Sequence, residues 1–446
     1  MKRLITTLAL CGVSMGLYAQ TPMLPSGTAL THGNVSNPYN LAGYSGNPAT
    51  GATLLYTDKR GFGMSVVNSA GIALEFGPIE KIYNDIELIQ GRLETVQSQF
   101  SGTEIPDLSV VEDLKNDADA LLVELGDSFY MDAAIGIQPL GPFVTTGPDL
   151  GSLVFDAGLD VQAKIGFLDA PLELDFLASS GDQIQTNSAA YMKVGGLAQG
   201  SLSYSKEVYE LPEGIIYGGF RLAYYQVLLT KSLISFQEFD DATSLLEDEI
   251  SDAIGGGGET GVGLDIGALF VTPHYQVGGT IKNINAPSFD YPAIGKDCQN
   301  DACFSALGFS DVIDLEETYT MFPQLNLEGS LYSLSRMWAV STSLDMNPIR
   351  DMVANEYQWF TVSSSFVPKL WSKWFWAPGL RVGYRQNLVG TQMNYLTIGV
   401  SWLIAHIDVA YGLKSFDTST IEGLEDVPSA LSRRSFALNA GLSFMF

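Results

Sequence analysis

Residues 153–167 read LVFDAGLDVQAKIGF, and their side chains alternate between two chemical classes. The odd positions are apolar from Leu153 to Phe167, whereas the even positions include Asp156, Asp160 and Lys164. Because a β-strand points successive side chains to opposite faces, this alternation predicts one strand of about 15 residues. Strands of soluble domains usually have only about 5–6 residues. The length of this strand therefore favours a sheet that is built from unusually long strands.

The same alternation recurs along the rest of the chain. It predicts strands near residues 71–77, 127–138, 152–167, 189–205, 214–230, 260–271, 275–283, 321–333, 337–345, 356–366, 379–388, 394–404, 406–415 and 435–446, with a less regular stretch at 52–67. In lipid every backbone group must be paired internally, so membrane strands close into a barrel with apolar residues outside. We predict an all-β fold, a closed antiparallel transmembrane β-barrel of about 14 strands over residues 61–446. A soluble sandwich also alternates, but the strand length and number disfavour it.

Aromatic residues near the predicted strand ends fit the two interfacial belts of such a barrel. These residues are Tyr332, Trp338, Trp359, Trp371, Trp374, Trp376 and Trp402. His406 falls on the polar face of its strand beside Asp408, where we expect a solvated side chain.

The first 19 residues have the pattern of a cleavable signal peptide. A basic start at Lys2 and Arg3 precedes the apolar run 4–18, and Ala19 follows as the expected cleavage site. A membrane anchor would need about 20 apolar residues. Together with the barrel pattern, this leader predicts export to the bacterial outer membrane.

Charge and cysteine content restrict the chemistry. The formal net charge is −27, which disfavours nucleic-acid binding because phosphates require basic partners. Cys298 and Cys303 are close in sequence, and in an oxidising compartment they favour a local disulfide. A metal site would need further ligands, and all three histidines are distant in sequence. We predict no metal and no cofactor.

The C-terminal residues 435–446, SFALNAGLSFMF, form a last alternating strand that ends on an aromatic residue. Its apolar face comprises Phe436, Leu438, Leu442, Phe444 and Phe446. This strand resembles the C-terminal assembly signal of bacterial outer-membrane barrels, which the barrel-insertion machinery reads. The resemblance implies outer-membrane lipid and the barrel-assembly machinery as partners.

Two insertions interrupt the strand pattern, near residues 78–126 and 236–254. Apolar residues recur there at helical spacing, and the opposite faces are acidic. Each is interpreted as a short amphipathic helical insertion. A solvated acidic face and a docking surface for a partner both remain open.

Residues 20–60 contain Asn47-Pro48-Ala49 between the leader and the first strands. This element resembles the one in the N-terminal plug, or hatch, of the FadL-type family of hydrophobic-compound transporters. The layout of the whole chain is closest to exported proteins known as plasmid conjugal-transfer proteins of the TraF type. The first resemblance implies a plug over residues 20–60, with Asn47, Pro48 and Ala49 inside the barrel.

Three functions follow from these observations. The first is a FadL-like channel for small hydrophobic compounds. The second is a structural or assembly role in conjugal plasmid transfer, with transfer-apparatus proteins as partners. The third, a barrel enzyme, is disfavoured because no nucleophile or His-centred motif stands out. We therefore predict no catalytic residues.

Overall fold

The computed structural model describes residues 23–36, 46–53, 62–78, 108–147, 150–174, 184–235, 258–296, 306–368, 377–415 and 434–445. Within these ranges lie helix α1 (Ala29–His32), the 3-10 helix Pro48–Ala52 and helix α2 (Leu108–Ser128). The first ten strands are β1 (Phe62–Phe76), β2 (Tyr130–Gly147), β3 (Gly151–Leu168), β4 (Leu172–Leu174), β5 (Ile184–Thr186), β6 (Ala189–Leu211), β7 (Gly214–Ser235), β8 (Glu259–Val271), β9 (Tyr275–Lys282) and β10 (Ser288–Asp290). The others are β11 (Thr318–Thr320), β12 (Gln324–Tyr332), β13 (Trp338–Asp345), β14 (Ile349–Arg350), β15 (Glu356–Tyr357), β16 (Trp359–Phe366), β17 (Gly379–Asn387), β18 (Asn394–Trp402), β19 (Ala405–Gly412) and β20 (Ser435–Met445).

Fourteen of the described strands form one closed barrel. Their order is β1-β2-β3-β6-β7-β8-β9-β12-β13-β16-β17-β18-β19-β20, and each neighbouring pair is antiparallel. The pairing of Ile72 with Leu438 joins the last strand to the first. Closure gives every barrel strand a hydrogen-bonded neighbour on each side, while the described strands β4-β5, β10-β11 and β14-β15 form three separate two-stranded sheets. The predicted closed antiparallel barrel of about 14 strands is confirmed.

The two faces of the wall are chemically opposite. In β18 the outward Ile398 is 52% exposed, whereas its inward neighbour Thr397 is 0% exposed. The same contrast holds in β3, where outward Phe155 is exposed and inward Asp156 is buried. Apolar side chains thus form an outer belt, and polar side chains line the interior.

Strand β2 runs further than the sequence pattern predicted. It continues through Pro139 and Pro142 to Gly147, because register shifts on either side of Leu140 absorb the residues that cannot donate a ladder hydrogen bond. Of the less regular stretch predicted near 52–67, Ala52 ends the 3-10 helix and residues 62–67 belong to β1.

Two described aromatics of the predicted belts face the interior. Tyr332 shares the inward face of Glu328 and Ser330 on β12, and its hydroxyl donates to the buried Gln276 Oε1 at 3.2 Å.

The second inward aromatic is Trp359 on β16. It is 7% exposed, and the guanidinium carbon of Arg385 lies 3.5 Å from its ring centroid. The prediction was wrong because the two-residue period that sends Thr361 inward also sends Trp359 inward. Trp338 and Trp402 are outward and exposed, as expected.

The connections between barrel strands differ at the two ends. At one end they are long, covering residues 77–129, 169–188, 236–258, 283–323, 346–358, 388–393 and 413–434. At the other, where β1 begins and β20 ends, the turns are mostly short, such as 212–213 and 403–404. We name these the long-loop end and the short-turn end. The acidic insertion predicted near residues 78–126 falls within the first of the long connections.

Helix α2 lies within this first long connection. Its Leu121, Leu122 and Leu125 are buried and pack with Phe129 and Phe167 at the long-loop end of the wall. Across the described ranges, no helix is long and apolar enough to cross a membrane.

Candidate functional site: the N-terminal segment and the barrel interior

The described parts of the N-terminal segment, residues 23–36 and 46–53, are almost wholly buried. Asn47 begins the 3-10 helix as its N-cap, because its Oδ1 accepts a hydrogen bond from the backbone N–H of Ala49 at 2.9 Å. Pro48 suits the first helical position, where no N–H is needed. The Asn-Pro-Ala element therefore builds a compact turn by local chemistry alone.

The side-chain amide of Asn47 fastens this turn to the interior wall. Its Nδ2 donates to Glu328 Oε1 on β12 at 2.8 Å and to the Ala268 carbonyl on β8 at 3.3 Å. Ser36, from the preceding part of the segment, donates to both oxygens of the same Glu328 carboxylate, from its backbone N at 2.5 Å and its Oγ at 2.9 Å. One buried carboxylate thus holds two parts of the segment.

Two interior glycines make room for the Asn-Pro-Ala turn. A Cβ added to Gly267 on β8 would lie 2.1 Å from Asn47 Oδ1, and one added to Gly219 on β7 would lie 2.6 Å from the Pro48 carbonyl oxygen. No side chain is tolerated at such distances, so the wall is shaped for this turn.

Helix α1 is anchored on the opposite part of the wall. Thr31 Oγ1 donates to Asp408 Oδ1 on β19 at 2.5 Å. Asp408 is also paired with Arg381 on β17, whose Nη2 lies 2.8 Å from Asp408 Oδ2, and both side chains are fully buried. His32 Nδ1 lies 3.1 Å from Ser363 Oγ on β16.

Burial lowers the pKa of His32 to about 4, and the nearby Arg381 guanidinium acts in the same direction. The imidazole is therefore neutral at neutral pH. His406, which we expected to be solvated, is instead 3% exposed beneath this packing.

The anchors of the segment lie on strands around the whole barrel. Asn439 on β20 donates to the Pro25 carbonyl at 3.0 Å, and Ser205 on β6 accepts from the Ala52 backbone N–H at 2.9 Å. Together with the bonds described above, these contacts reach six barrel strands: β6, β8, β12, β16, β19 and β20. The segment is thus bound to the interior face of the wall on several sides.

Two long loops reach into the barrel from the long-loop end. Glu317 of the loop 283–323 lies 2.5 Å from Lys193 Nζ on β6 and 3.7 Å from Lys231 Nζ on β7. In the loop 346–358, Asn355 Nδ2 donates to Asp132 Oδ1 on β2 at 2.8 Å. Burial raises the pKa of Asp351 in that loop to about 7. The described parts of these two loops therefore contact the interior face of the wall near the long-loop end.

A cavity of about 140 Å³ lies between the segment, the wall and these loops. Its apolar lining includes Leu197, Tyr225, Tyr319, Met321 and Trp359. Its charged lining includes Asp156, Arg221, Asp265, Lys282, Asp345 and Arg385. Some of these charges neutralise each other, as in the buried pair of Arg221 and Asp265 at 3.2 Å. The cavity is therefore amphipathic.

The other site residues predicted from sequence lie away from this cavity. Phe436 and Leu442 are exposed on the outer face of β20, and Leu438 shares that face. Phe444 lies within β20. Cys298, Cys303, Phe446, the signal peptide and the insertion 236–254 lie outside the described residues, so these predictions stand untested.

Sequence reasoning missed the wall residues that hold the segment. Glu328, Arg381 and Asp408 were visible only as polar positions in alternating strands. A charged residue at an inward position of a barrel strand is the signal that could have found them, because such a charge needs a buried partner.

The fold and the interior define a class of protein: a closed 14-stranded antiparallel barrel with its own N-terminal segment bound to the interior wall. Within that class, the chain belongs to the family described as "F plasmid transfer operon, TraF, protein", which matches residues 45–345.

Solved structures similar to this chain include two forms of one channel. The "TodX deltaS2S3 mutant monoaromatic hydrocarbon channel" shares 10% identity at a TM-score of 0.41, covering 94% of this chain and 99% of the other. The Pseudomonas putida toluene transporter TodX shares 11% identity at a TM-score of 0.36, covering 96% and 97%. No curated protein matches the chain.

Proposed function

We propose that this chain is an outer-membrane β-barrel whose N-terminal segment plugs the interior, and that it admits small, partly apolar compounds from the long-loop end. The observation that carries the proposal is the set of hydrogen bonds from the segment to strands around the ring. The apolar outer belt suits lipid contact. The segment is held by hydrogen bonds that involve side chains of the wall, so it can rearrange while the backbone ladders of the barrel stay intact.

The size and lining of the cavity support the ligand class. A cavity of roughly 150 Å³ holds one benzene-sized molecule, and this one is about 140 Å³. Aromatic side chains such as Trp359 and Tyr319 suit a ring, while the charged lining suits a polar substituent. The expected ligand is a single-ring compound with one polar group, more polar than the hydrocarbons for which the similar channels are named.

Replacing Asn47 by Asp is expected to loosen the plug. Asp still caps the 3-10 helix, but its carboxylate faces Glu328 at the distance where Asn47 now donates, 2.8 Å. Losing this bond and gaining repulsion costs about 1–3 kcal/mol, which is about a 5- to 150-fold shift toward the detached segment. Conductance in planar bilayers should rise accordingly.

The double variant N47D/E328Q is the matched control, because the Gln amide can donate to the new carboxylate. It should return conductance close to that of the wild type. Unchanged conductance in N47D, with the barrel still heat-modifiable, would contradict the plug.

Binding of p-cresol should change the fluorescence of Trp359, which lines the cavity and is 7% exposed. We expect a saturable change in the wild-type protein, no change with glucose, and loss of the p-cresol signal in Trp359→Phe. A signal that is linear, or equal in the variant, would place binding elsewhere.

A structural role in conjugal transfer is the second candidate, favoured by the family match. A mating assay distinguishes this structural role from the channel function. If N47D raises conductance and leaves plasmid transfer unchanged, the channel is favoured. If removing the acidic helix α2 abolishes transfer with permeability unchanged, the assembly role is favoured.

A further inference from the structure

A second, smaller cavity of about 20 Å³ lies between the N-terminal segment and the interior wall. Leu24 and Ser26 of the segment form one side, and Ser69, Gln138, Asp156, Asp160 and Gln199 belong to the wall side. About 10–15 Å³ is enough for one water-sized group. The cavity therefore has room for a single small ligand, in a lining rich in oxygen atoms.

Two carboxylates line this cavity, Asp156 and Asp160, and each has an Oδ2 without a hydrogen-bond partner among the described residues. The charge of Asp156 is opposed by the nearby Arg221 guanidinium, whereas the described residues place no such cation near Asp160. Asp160 is 3% exposed. The lining contains no Lys or Arg.

Two other interior carboxylates meet cations directly, Asp408 with Arg381 and Asp265 with Arg221. Glu328 accepts hydrogen bonds from Ser36 and Asn47. A buried carboxylate without a proton, a donor or a cation is strongly disfavoured.

The wall is shaped to accommodate this carboxylate. Gly136 on β2 is directly paired with Asp160 on β3, and a Cβ added there would lie 2.3 Å from Asp160 Oδ1. Oxygen atoms from other side chains complete the surroundings. Gln138 Oε1 accepts one hydrogen bond, from Asn68 at 2.6 Å, and keeps a second lone pair. Ser69 Oγ donates to Asn439, so its lone pairs remain for another group.

We propose that this cavity is a binding site for a small monovalent cation, an alkali ion or an ammonium group, held against Asp160. Carboxylate, amide and hydroxyl oxygens are the ligands that hard cations prefer. The single negative charge of Asp160 is balanced by one positive charge, so it favours a monovalent ion. Asp156 also lines the cavity, but the Arg221 guanidinium already opposes its charge, so Asp160 supplies the one uncompensated negative charge of this lining. The described residues contain no group of three or more His, Cys, Asp or Glu side chains that would suit a divalent metal.

The neighbouring large cavity provides the route of entry. Asp156 and Gln199 line both cavities, so they form the boundary that an entering cation crosses. The bound ion would touch both the wall and the segment at Ser26. Its occupancy should therefore hold the segment in place, whether or not the barrel transports an apolar compound.

The test is the thermal stability of the full-length protein in detergent, at constant pH and ionic strength. Sodium, potassium, ammonium and methylammonium chlorides are titrated against N-methyl-D-glucamine chloride, whose cation is too large for the cavity. We expect a saturable rise of the unfolding midpoint with at least one small cation. Ammonium and methylammonium acting more strongly than sodium and potassium would assign the site to an amine, and the reverse to an alkali ion. An equal midpoint in all the salts would overturn the proposal and leave Asp160 as a protonated carboxyl.

Asp160→Asn should raise the half-saturating concentration at least about tenfold, because a charge-assisted contact is lost. Asp132→Asn is the matched control. Asp132 is also a buried inward carboxylate with an unpartnered Oδ2, but it does not line the cavity. It should keep the cation response, and a loss in both variants, or in neither, would contradict the site. If Asp160→Asn fails to fold, the alternative measurement is anomalous scattering from wild-type crystals soaked in thallous ion. We expect an anomalous peak beside Asp160. The absence of this peak would overturn the proposal.

Discussion

Replacing Asp408 by Ala is expected to lower the free energy of unfolding by about 3–5 kcal/mol, because it leaves the buried Arg381 guanidinium without a counter-charge. Arg381 and Asp408 are both 0% exposed, with contacts at 2.8 and 3.2 Å. Gly399 lies between them in register, and a Cβ there would be 2.1 Å from Asp408 Oδ1. The variant also loses the hydrogen bond from Thr31, so the N-terminal segment should loosen with the wall. Guanidinium unfolding followed by heat-modifiability measures the effect.

Two controls separate the buried charge from general damage. The double variant R381M/D408L removes both charges and should recover most of the loss, since apolar replacement of a buried pair is often neutral. Glu356→Ala breaks the exposed pair with Arg350, whose side chains are 43% and 66% exposed, and should change stability by about 0–1 kcal/mol. A loss below about 1 kcal/mol in Asp408→Ala would mean that water reaches Arg381.

Replacing Ile398 by Arg is expected to destabilise the barrel in a lipid bilayer by about 2–4 kcal/mol, the range for a cation at the bilayer midplane. Ile398 lies in the middle of β18 on the outer face and is 52% exposed. Refolding into vesicles at a series of guanidinium concentrations gives the difference in free energy.

Leu403→Arg is the matched control because it adds the same side chain in the short turn after β18, where Leu403 is 70% exposed. Near the interface the change should be about 0–1 kcal/mol. In a water-soluble barrel, both exposed positions would tolerate Arg within about 0.5 kcal/mol. Equal tolerance of the two substitutions would therefore remove the proposed membrane location.

Particular residues show how far the sequence pattern reaches. The alternation at 153–167 predicted β3 closely, and the faces of Asp156 and Asp160 followed from it. Asn47-Pro48-Ala49 was identified by its resemblance to the FadL-type element, and the structure adds the N-cap through which Asn47 begins the 3-10 helix. The same logic failed at Trp359, where strand-end position was weighed above the two-residue period. It failed also at His406, because solvent access depends on what fills the interior.

The sequence by itself determined that the barrel has about 14 strands and which face most of their side chains take, because these depend on side chains only a few residues apart. The tertiary structure alone decided which residues meet inside the barrel. Thr31 and Asp408 are separated by 377 positions, and Asn47 and Glu328 by 281. Such pairs follow from strand register and from the closure of the ring, which bring distant inward positions together. A periodic pattern states that a side chain faces inward, but only the closed barrel specifies the side chain that it meets there.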